Sequence, residues 1–589
     1  MCSMNRDGMA DNPSPSRRPW PFLLACALAF AVLWGSYSHY FNNSFHFDDS
    51  HVIETNAYIR SLKNIGKFFT DAGTLSSLPA NSNYRPLVTL SLAVDYWLGG
   101  GLVSRQFHIT QFSLLVFMGI LLFFLYKHVI DWAGLQWWNR YLALFATLLY
   151  CVHTVNTETL NIISTRSEFI ATGGILGAFL IYIHAPRWRR LYLYLIPMAI
   201  GALAKPPAVM FAPLLFVYVF LFEEDADWGR LFQTLRKTLP TFVVGLALFV
   251  FVNKMDHPEA VYSTYNRWGY FLTQPFIWLH YFRLFFIPVG LTADTDWTLL
   301  EHWYDTRLFA GVFFALMMLW LTWRFSRRPQ SRPTAFGLAW FALALLPASS
   351  FFPLSEVSNE HRAFFPYIGL ALAVVFRISE VLKDLCAWRP RRSRLIIATA
   401  FSAALLALGG FAVGTYERNK VWKTEETLWY DVTLKSPTNG RALMNYGLSQ
   451  MSQGKYPRAK EYFERALVYN PYYPTLETNL AIVNSAMGDA KTAEAHFQRA
   501  LSLQPRFAEG HYFYARWLNQ QKRVDEAIAH LETALAISPG HGPSRELLMS
   551  LYSAQGRQDQ LLKLVQDTLA VWPDDPTANN YARRLGIKK

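Results

Sequence analysis

The chain has 589 residues, 52% of them hydrophobic, 16% aromatic and 16% charged, with a formal net charge of +13. These averages hide a division: Phe22–Gly35, Ser113–Tyr126 and Leu395–Gly414 carry no charge, whereas the stretch after Thr438 is charged throughout. That excludes both a wholly soluble and a wholly membrane-embedded chain. The excess positive charge gathers in short segments between apolar runs, Arg17-Arg18, Arg187–Arg190, Arg324–Arg332 and Arg389–Arg394. Basic loops are retained on the cytoplasmic side, so this is the pattern of membrane topology, and no nucleic-acid partner is expected. The four cysteines, Cys2, Cys26, Cys151 and Cys386, lie outside the long polar loop and the C-terminal region, which implies no disulfide framework.

Residues 1–19 read as a cytoplasmic tail ahead of a first apolar core, 20–40. Ser36-Tyr37-Ser38 has the form of a weak cleavage site, but Trp34, Tyr37 and Tyr40 crowd it as an interfacial aromatic belt would, so the segment reads as a retained anchor. Further apolar cores follow at 107–128, 139–153, 167–184, 190–204, 207–222, 238–253, 307–324, 334–350, 363–380 and 395–416. With the first, these give about 11 spans in a helical bundle over 20–416. Several are short, and Lys205-Pro206-Pro207 interrupts the apolar region 190–222, which places a turn near a membrane face. With the basic loops inside, the loop 41–106, the segments His153–Glu168 and Ser349–Arg362, the Lys205 turn and everything after 416 fall outside. The stretch Tyr270–Val289 is apolar enough to span but holds His280 and Arg283; it reads as interfacial or re-entrant.

The C-terminal region repeats. Pro437, Pro471, Pro505, Pro539 and Pro573 stand 34 residues apart, with Gly447, Ala481 and Ala515, then Ala466, Ala500 and Ala534, then Phe463 and Phe497, and Gly454, Gly488 and Gly556 in fixed register. A 34-residue period with small residues where two helices cross and proline closing each unit is the tetratricopeptide signature. The expected architecture is all-α: a membrane bundle, a lead-in helix at 417–437, and a soluble repeat solenoid over 438–589 whose groove suits an extended peptide.

The outward-facing segments concentrate ionisable residues: Asp48 and Asp49 after the first span, Tyr84 and Arg85, His153 and Glu158, Arg166 and Glu168, Lys205, and Glu360-His361-Arg362. Isolated charges at span ends snorkel to headgroups, but acidic, basic and His groups from several segments on one face point to a shared aqueous cavity. His153 and Glu158 lack a third ligand at zinc-like spacing, so no metal is expected.

Phe47-Asp48-Asp49 after a first span, Tyr84-Arg85-Pro86-Leu87, His153…Thr157-Glu158 and Glu360-His361-Arg362…Pro366 occur in this order before a tetratricopeptide tail. In that order the chain resembles the transmembrane-and-tetratricopeptide protein O-mannosyltransferases and their bacterial relatives, glycosyltransferases of the GT-C class. The resemblance implies a donor sugar on a polyprenyl phosphate, no required cofactor, and an acidic residue of the first external loop acting on the acceptor, here Asp48 or Asp49. A base at that place makes sense, because glycosyl transfer to a hydroxyl must remove its proton. The same pair also suits the N-terminus of a helix over Ser50–Asn56, so one aspartate can cap while the other works. Lys205, Arg85, Arg166 and Arg362 are the candidates to meet the leaving phosphate. The family's acidic residue after the lysine is Pro206 here. For Arg85 and Arg362 an ion pair with Glu158, Glu168 or Glu360 is the alternative.

The expected function is transfer of a sugar, mannose by resemblance, to a Ser or Thr hydroxyl of an exported protein recruited by the repeats. The setting is an inner (plasma) membrane with the repeats on the periplasmic side. A glycan or lipid acceptor, or a non-catalytic membrane-anchored repeat scaffold, stays open. A transporter would put its charges at mid-membrane instead.

Overall fold

The computed structural model describes residues 20–257, 265–349 and 353–587. The tail 1–19, with Arg17-Arg18, lies outside these. Every regular element among the described residues is helical, and the chain divides into a unit ending at Thr427 and one starting at Leu428.

Among the described residues of the first unit, eight helical segments are long and apolar enough to cross a membrane: Trp20–Asn42, Ser104–Trp132, Ile163–His184, Pro206–Glu223, Trp228–Met255, Thr306–Ser326, Glu360–Trp388 and Pro390–Val421. The other three apolar cores form the shorter helices Asn139–Cys151, Leu195–Ala202 and Arg332–Leu345. Leu195–Ala202 is short because the chain must turn before Pro206-Pro207, whose rings cannot donate to a continuing helix. Tyr270–Val289 falls largely in one continuous helix, Arg267–Phe286, not a re-entrant turn; its Ile277, Tyr281, Leu284 and Phe285 join the common core.

Small residues bring these helices close. Arg332–Leu345 and Phe364–Trp388 cross at Gly337 and Gly369, where a Cβ on either would collide with the other's carbonyl. Buried tyrosines supply the polar links: Tyr126 donates to the Ile368 carbonyl at 2.6 Å, Tyr150 to Phe364 at 3.0 Å and Tyr367 to Tyr281 at 2.7 Å. A hydroxyl buried without such an acceptor would cost about 1–3 kcal/mol.

The loop 41–106 is a small helical layer of its own, built from short turns and the helix Pro86–Leu98, with Val52, Ile53, Ile59, Phe68, Leu75, Val88 and Leu92 as its core. This layer carries Asp48, Asp49, Tyr84 and Arg85. The last spanning helix runs on to Val421, so the lead-in helix, Glu425–Lys435, starts eight residues after the expected 417.

The second unit is a regular array of helix pairs: Gly440–Ser452 with Tyr456–Tyr469, Pro474–Ala486 with Ala490–Leu503, Ala508–Gln520 with Val524–Ile537, and Gly542–Ala554 with Gln558–Val571, closed by Pro576–Arg584. The in-phase Ala466, Ala481, Ala500, Ala515 and Ala534 are fully buried where helices cross. Each pair turns through one residue at positive φ: Gly454 (74°), Gly488 (87°), Lys522 (64°) and Gly556 (67°). Across each, the next N–H bonds back to the helix, as from Asp489 to Asn484 O at 2.9 Å and from Arg523 to Leu518 O at 2.9 Å. Lys522 is the one non-glycine in this series and bears the left-handed strain of roughly 1–2 kcal/mol, partly offset because Gly loses more chain entropy. Lys522→Gly is therefore expected to raise the stability of the repeat unit by about 0.5–1 kcal/mol in denaturant titrations of the full chain, and Gly488→Lys to lower it.

Candidate functional site

Two neighbouring carboxylates at the start of the loop have opposite surroundings. Asp49 is fully buried. Its Oδ1 accepts from Ser164 N at 2.7 Å, and its Oδ2 from Ile163 N at 2.9 Å and His46 N at 3.3 Å. Burial pushes its carboxyl up to about 6, against these three hydrogen bonds. The expected cap does not form: the helical turn is Ser50–Glu54, and Asp49 makes no side-chain bond to it. Asp49 instead staples the loop to the 163–164 backbone.

Asp48 is the open one, its side chain 68% exposed. Its Oδ1 lies 3.5 Å from His51 Nε2, and that interaction, with the charges of Arg85 and His361, holds its carboxyl below the ordinary range against partial burial. The preceding residue, Phe47, has φ 55°, the left-handed region a bulky side chain avoids. Its backbone sets the direction in which Asp48 leaves the loop.

The basic residues divide sharply. Arg166 is fully buried, its guanidinium 2.5 Å from Asp95, with further bonds to Gln111 Oε1 at 3.2 Å and Phe107 O at 3.0 Å. Fully buried and paired, it is out of reach of a phosphate and pins the Pro86–Leu98 helix to the bundle. Arg362 lies 3.6 Å from Glu356 Oε2 and donates to Glu356 O at 2.9 Å, so it braces its own loop and pairs with none of the expected carboxylates. Lys205 pairs with Glu168, with its side chain 24% exposed; burial lowers it, Glu168 raises it, and Arg85 and Arg362 lower it further. Arg85 differs from all three. Its Nε is buried without a hydrogen-bond partner, and no carboxylate among the described residues pairs with its guanidinium. It acts electrostatically on both Asp48 and Lys205.

Glu158 stands in the buried helix Asn156–Asn161. Its Oε1 is 2.6 Å from His361 Nδ1, while its Oε2 is buried without a partner. Burial drives the Glu158 carboxyl up, against hydrogen bonds from the His361 and Glu360 backbone and the charges of Arg418 and Arg362. Glu360 lies 4.0 Å from Arg418. Asp48, Arg85, Glu168–Lys205 and Glu158–His361 thus form one neighbourhood at the external loops.

Tyr84 and His153 belong to the scaffold. Tyr84 donates its hydroxyl to Phe69 O at 2.8 Å and its backbone N–H to Asp256 at 2.7 Å. His153 sits among Phe285, Tyr367 and Phe411, with Nε2 at 3.0 Å from Phe285 O. Four residues escaped the sequence reading: His51, Asp95, Gln111 and Arg418. His51 was within reach as an i,i+3 neighbour of Asp48. Asp95, a carboxylate inside an apolar helix, was within reach because such a charge requires a partner.

Tetratricopeptide repeat family models match residues 440–473 and 478–541. Three curated relatives are protein O-mannosyl-transferases by name: F38B6.6 of Caenorhabditis elegans (23% identical, 73% of this chain and 60% of that protein), Tmtc3 of Drosophila melanogaster (25%, 55% and 40%) and TMTC4 of Homo sapiens (23%, 75% and 66%). The chain resembles the transmembrane-and-tetratricopeptide protein O-mannosyltransferases. It spans less than two thirds of the length of each of these relatives. Because matches of this extent run across the membrane unit as well as the repeats, the likeness is not carried by the solenoid alone.

The division between scaffold and open groups has a direct test. Arg166→Met leaves Asp95 buried and uncompensated and is expected to destabilise the membrane unit by about 3–5 kcal/mol, seen as loss of monodisperse protein in detergent and a lowered Tm. Arg85→Gln, which breaks no pair, is expected to fold with its Tm unchanged. Equal losses in both would mean that Arg85 is structural too.

Proposed function

We propose that this chain is a membrane glycosyltransferase of GT-C type, which moves one sugar from a polyprenyl-phosphate carrier to a Ser or Thr hydroxyl of an exported protein held by the repeats. The sugar is mannose, as in the names of its relatives. One observation carries the reading: the solvent-open carboxylate of Asp48 stands in the field of Arg85, whose guanidinium has no carboxylate partner among the described residues.

The roles follow from the chemistry. Asp48, held below the ordinary carboxyl range, is ionised at neutral pH and takes the proton of the acceptor hydroxyl. The hydroxyl oxygen forms the new bond to the anomeric carbon as the bond from that carbon to the phosphate oxygen breaks. The phosphate leaves with the electron pair. Arg85 offers it two N–H donors, and Lys205, shared with Glu168, a point charge. Asp49 takes no part in the transfer, because its oxygens are committed to backbone amides. The His361–Glu158 pair lies beside Asp48 and restrains its field.

Asp48→Asn keeps size and removes basicity. It is expected to insert and fold as the parent does yet to transfer ~10²–10⁴-fold more slowly, measured with a polyprenyl-phosphate-mannose donor and a Ser/Thr peptide. Undiminished transfer would remove Asp48 from the mechanism, and a chain that transfers nothing in any form would favour the scaffold.

The site and the repeats share the extracytoplasmic side of the inner membrane in this reading, since the basic segments Arg187–Arg190, Arg324–Arg332 and Arg389–Arg394 hold the other side inside. With the four native cysteines replaced by serine, cysteines at the exposed positions Ala80 and Ser502 are expected to react with an impermeant maleimide in spheroplasts. One at the exposed Gln330 is not. Labelling at Gln330 with none at Ser502 would invert the topology.

A further inference from the structure

The backbone of Phe47 is strained, and Asp48 follows it, so something must hold this segment. The residues that do so come from the far end of the membrane unit. His46 has a fully buried side chain; its Nδ1 lies 2.7 Å from Glu425 Oε1 and its Nε2 2.6 Å from Trp422 O. Its ring packs edge-on against Trp422 at 5.6 Å, and the Phe47 ring lies 6.2 Å from the same indole. Trp422 is itself fully buried. Ser44 closes the contact, its backbone N–H donating to Lys423 O at 3.3 Å and its hydroxyl at 3.2 Å. One step behind, Asn43 donates to Asn161 at 2.6 Å and to Asn419 O at 3.0 Å.

The three-residue break Trp422–Thr424 separates the last spanning helix from the helix Glu425–Lys435. Its geometry is fixed by reciprocal bonds between Thr424 and Thr427, the N–H of each donating to the other's hydroxyl at 3.1 and 3.2 Å. The helix that starts at Glu425 ends beyond Leu428, where the repeat unit starts. The same short segment therefore holds the loop that carries Asp48 and begins the helix that leads into the repeats.

We propose that His46 is a positioning residue and that the junction Trp422–Glu425 is its anchor: together they hold Phe47 in its left-handed conformation and so fix where Asp48 projects. A left-handed Phe relaxes when its neighbours release it, and the Asp48 carboxylate then loses its register with Arg85. A base displaced by about 1 Å still binds substrates but transfers slowly, with losses on the order of a hundredfold. Because the His46 ring is bonded to this anchor, a change in Trp422–Glu425 reaches the base. The effect on turnover rests on the glycosyltransferase reading above; the hold on the loop does not.

The test uses the full chain in nanodiscs and two measurements. Glu425→Ala removes one of the three partners of the His46 ring, the others being Trp422 O and Ser44 Oγ, at a half-exposed position, so folding survives; Glu425→Gln keeps an acceptor there; His46→Phe keeps a ring and removes both nitrogens. Hydrogen–deuterium exchange over 44–52 is expected to rise at least tenfold in Glu425→Ala and in His46→Phe, and to stay at the parent rate in Glu425→Gln. Transfer from polyprenyl-phosphate-mannose is expected to lose kcat by tenfold or more in the first two, with donor KM within twofold, and to recover in Glu425→Gln. Unchanged exchange in Glu425→Ala overturns the proposal, and so does raised exchange with unchanged kcat. If the parent chain transfers no sugar, the glycosyltransferase reading falls, while the exchange rates still decide whether the junction holds the loop.

Discussion

A charge in a low-dielectric interior must bring its partner with it, and this one constraint sorts the polar residues of the membrane unit. Removing a carboxylate or guanidinium from water costs several kcal/mol even after relaxation, and only a close counter-charge with good hydrogen bonds offsets it. Arg166 meets the condition with Asp95, Gln111 and the Phe107 carbonyl, Glu168 with Lys205, and Glu158 with His361. Each pair joins elements far apart in sequence, so the same bonds that make the charges tolerable also hold the external layer to the bundle. What remains after this sorting is informative. Asp48 and Arg85 are charged, close enough to feel each other, and not consumed by structure. Among the described residues Arg85 has no carboxylate partner and Asp48 has only His51, at 3.5 Å, and ionisable groups left open in this way cluster at functional sites.

The adjacent aspartates show how environment, not residue type, assigns roles. Both are carboxylates on one short turn. Asp49 points inward, and its two oxygens are taken by three backbone N–H groups, so it serves as a bracket between the 46–49 turn and the 163–164 turn. Asp48 points outward, its carboxylate exposed beside His51. The bracket is what allows the exposed partner to be placed: without a fixed Asp49 the loop would have no register against the bundle, and without a fixed loop the Asp48 carboxylate would sample many directions.

The 34-residue period was legible to the residue because a solenoid repeats its packing problem; each buried Ala and each turn Gly recurs where the same two helices cross. The missing glycine in the third unit was visible only as a gap, and the structure fills it with Lys522 in the same left-handed turn. The spans were legible as apolar runs, although three proved shorter than a bilayer-spanning helix. Partnerships were not legible. Arg166 and Asp95 are 71 positions apart, Lys205 and Glu168 are 37, and nothing in local periodicity selects one carboxylate over another at such separations. Composition narrowed the site to one face; pairing, which depends on tertiary packing, decided which of its residues are open.

Pairing also explains why the external loop can be short of regular structure and still be rigid. Its turns are too brief to be stable by their own backbone bonds, since a single helical turn fixes more dihedrals than it gains hydrogen bonds. Rigidity is imported instead: Asn56 Nδ2 donates to Val52, Thr74 and Leu75 carbonyls, Tyr84 ties to Phe69, and His46 ties to the Trp422–Glu425 segment. Most of these links are internal to the layer. The His46 link is different in kind, because it crosses from the start of the chain to the point where the membrane unit ends. A loop held mainly from within keeps its shape whatever happens elsewhere. A turn held at the junction as well as through Asp49 keeps its shape only while the junction does, which makes the strained backbone beside Asp48 the place where such a dependence would be felt.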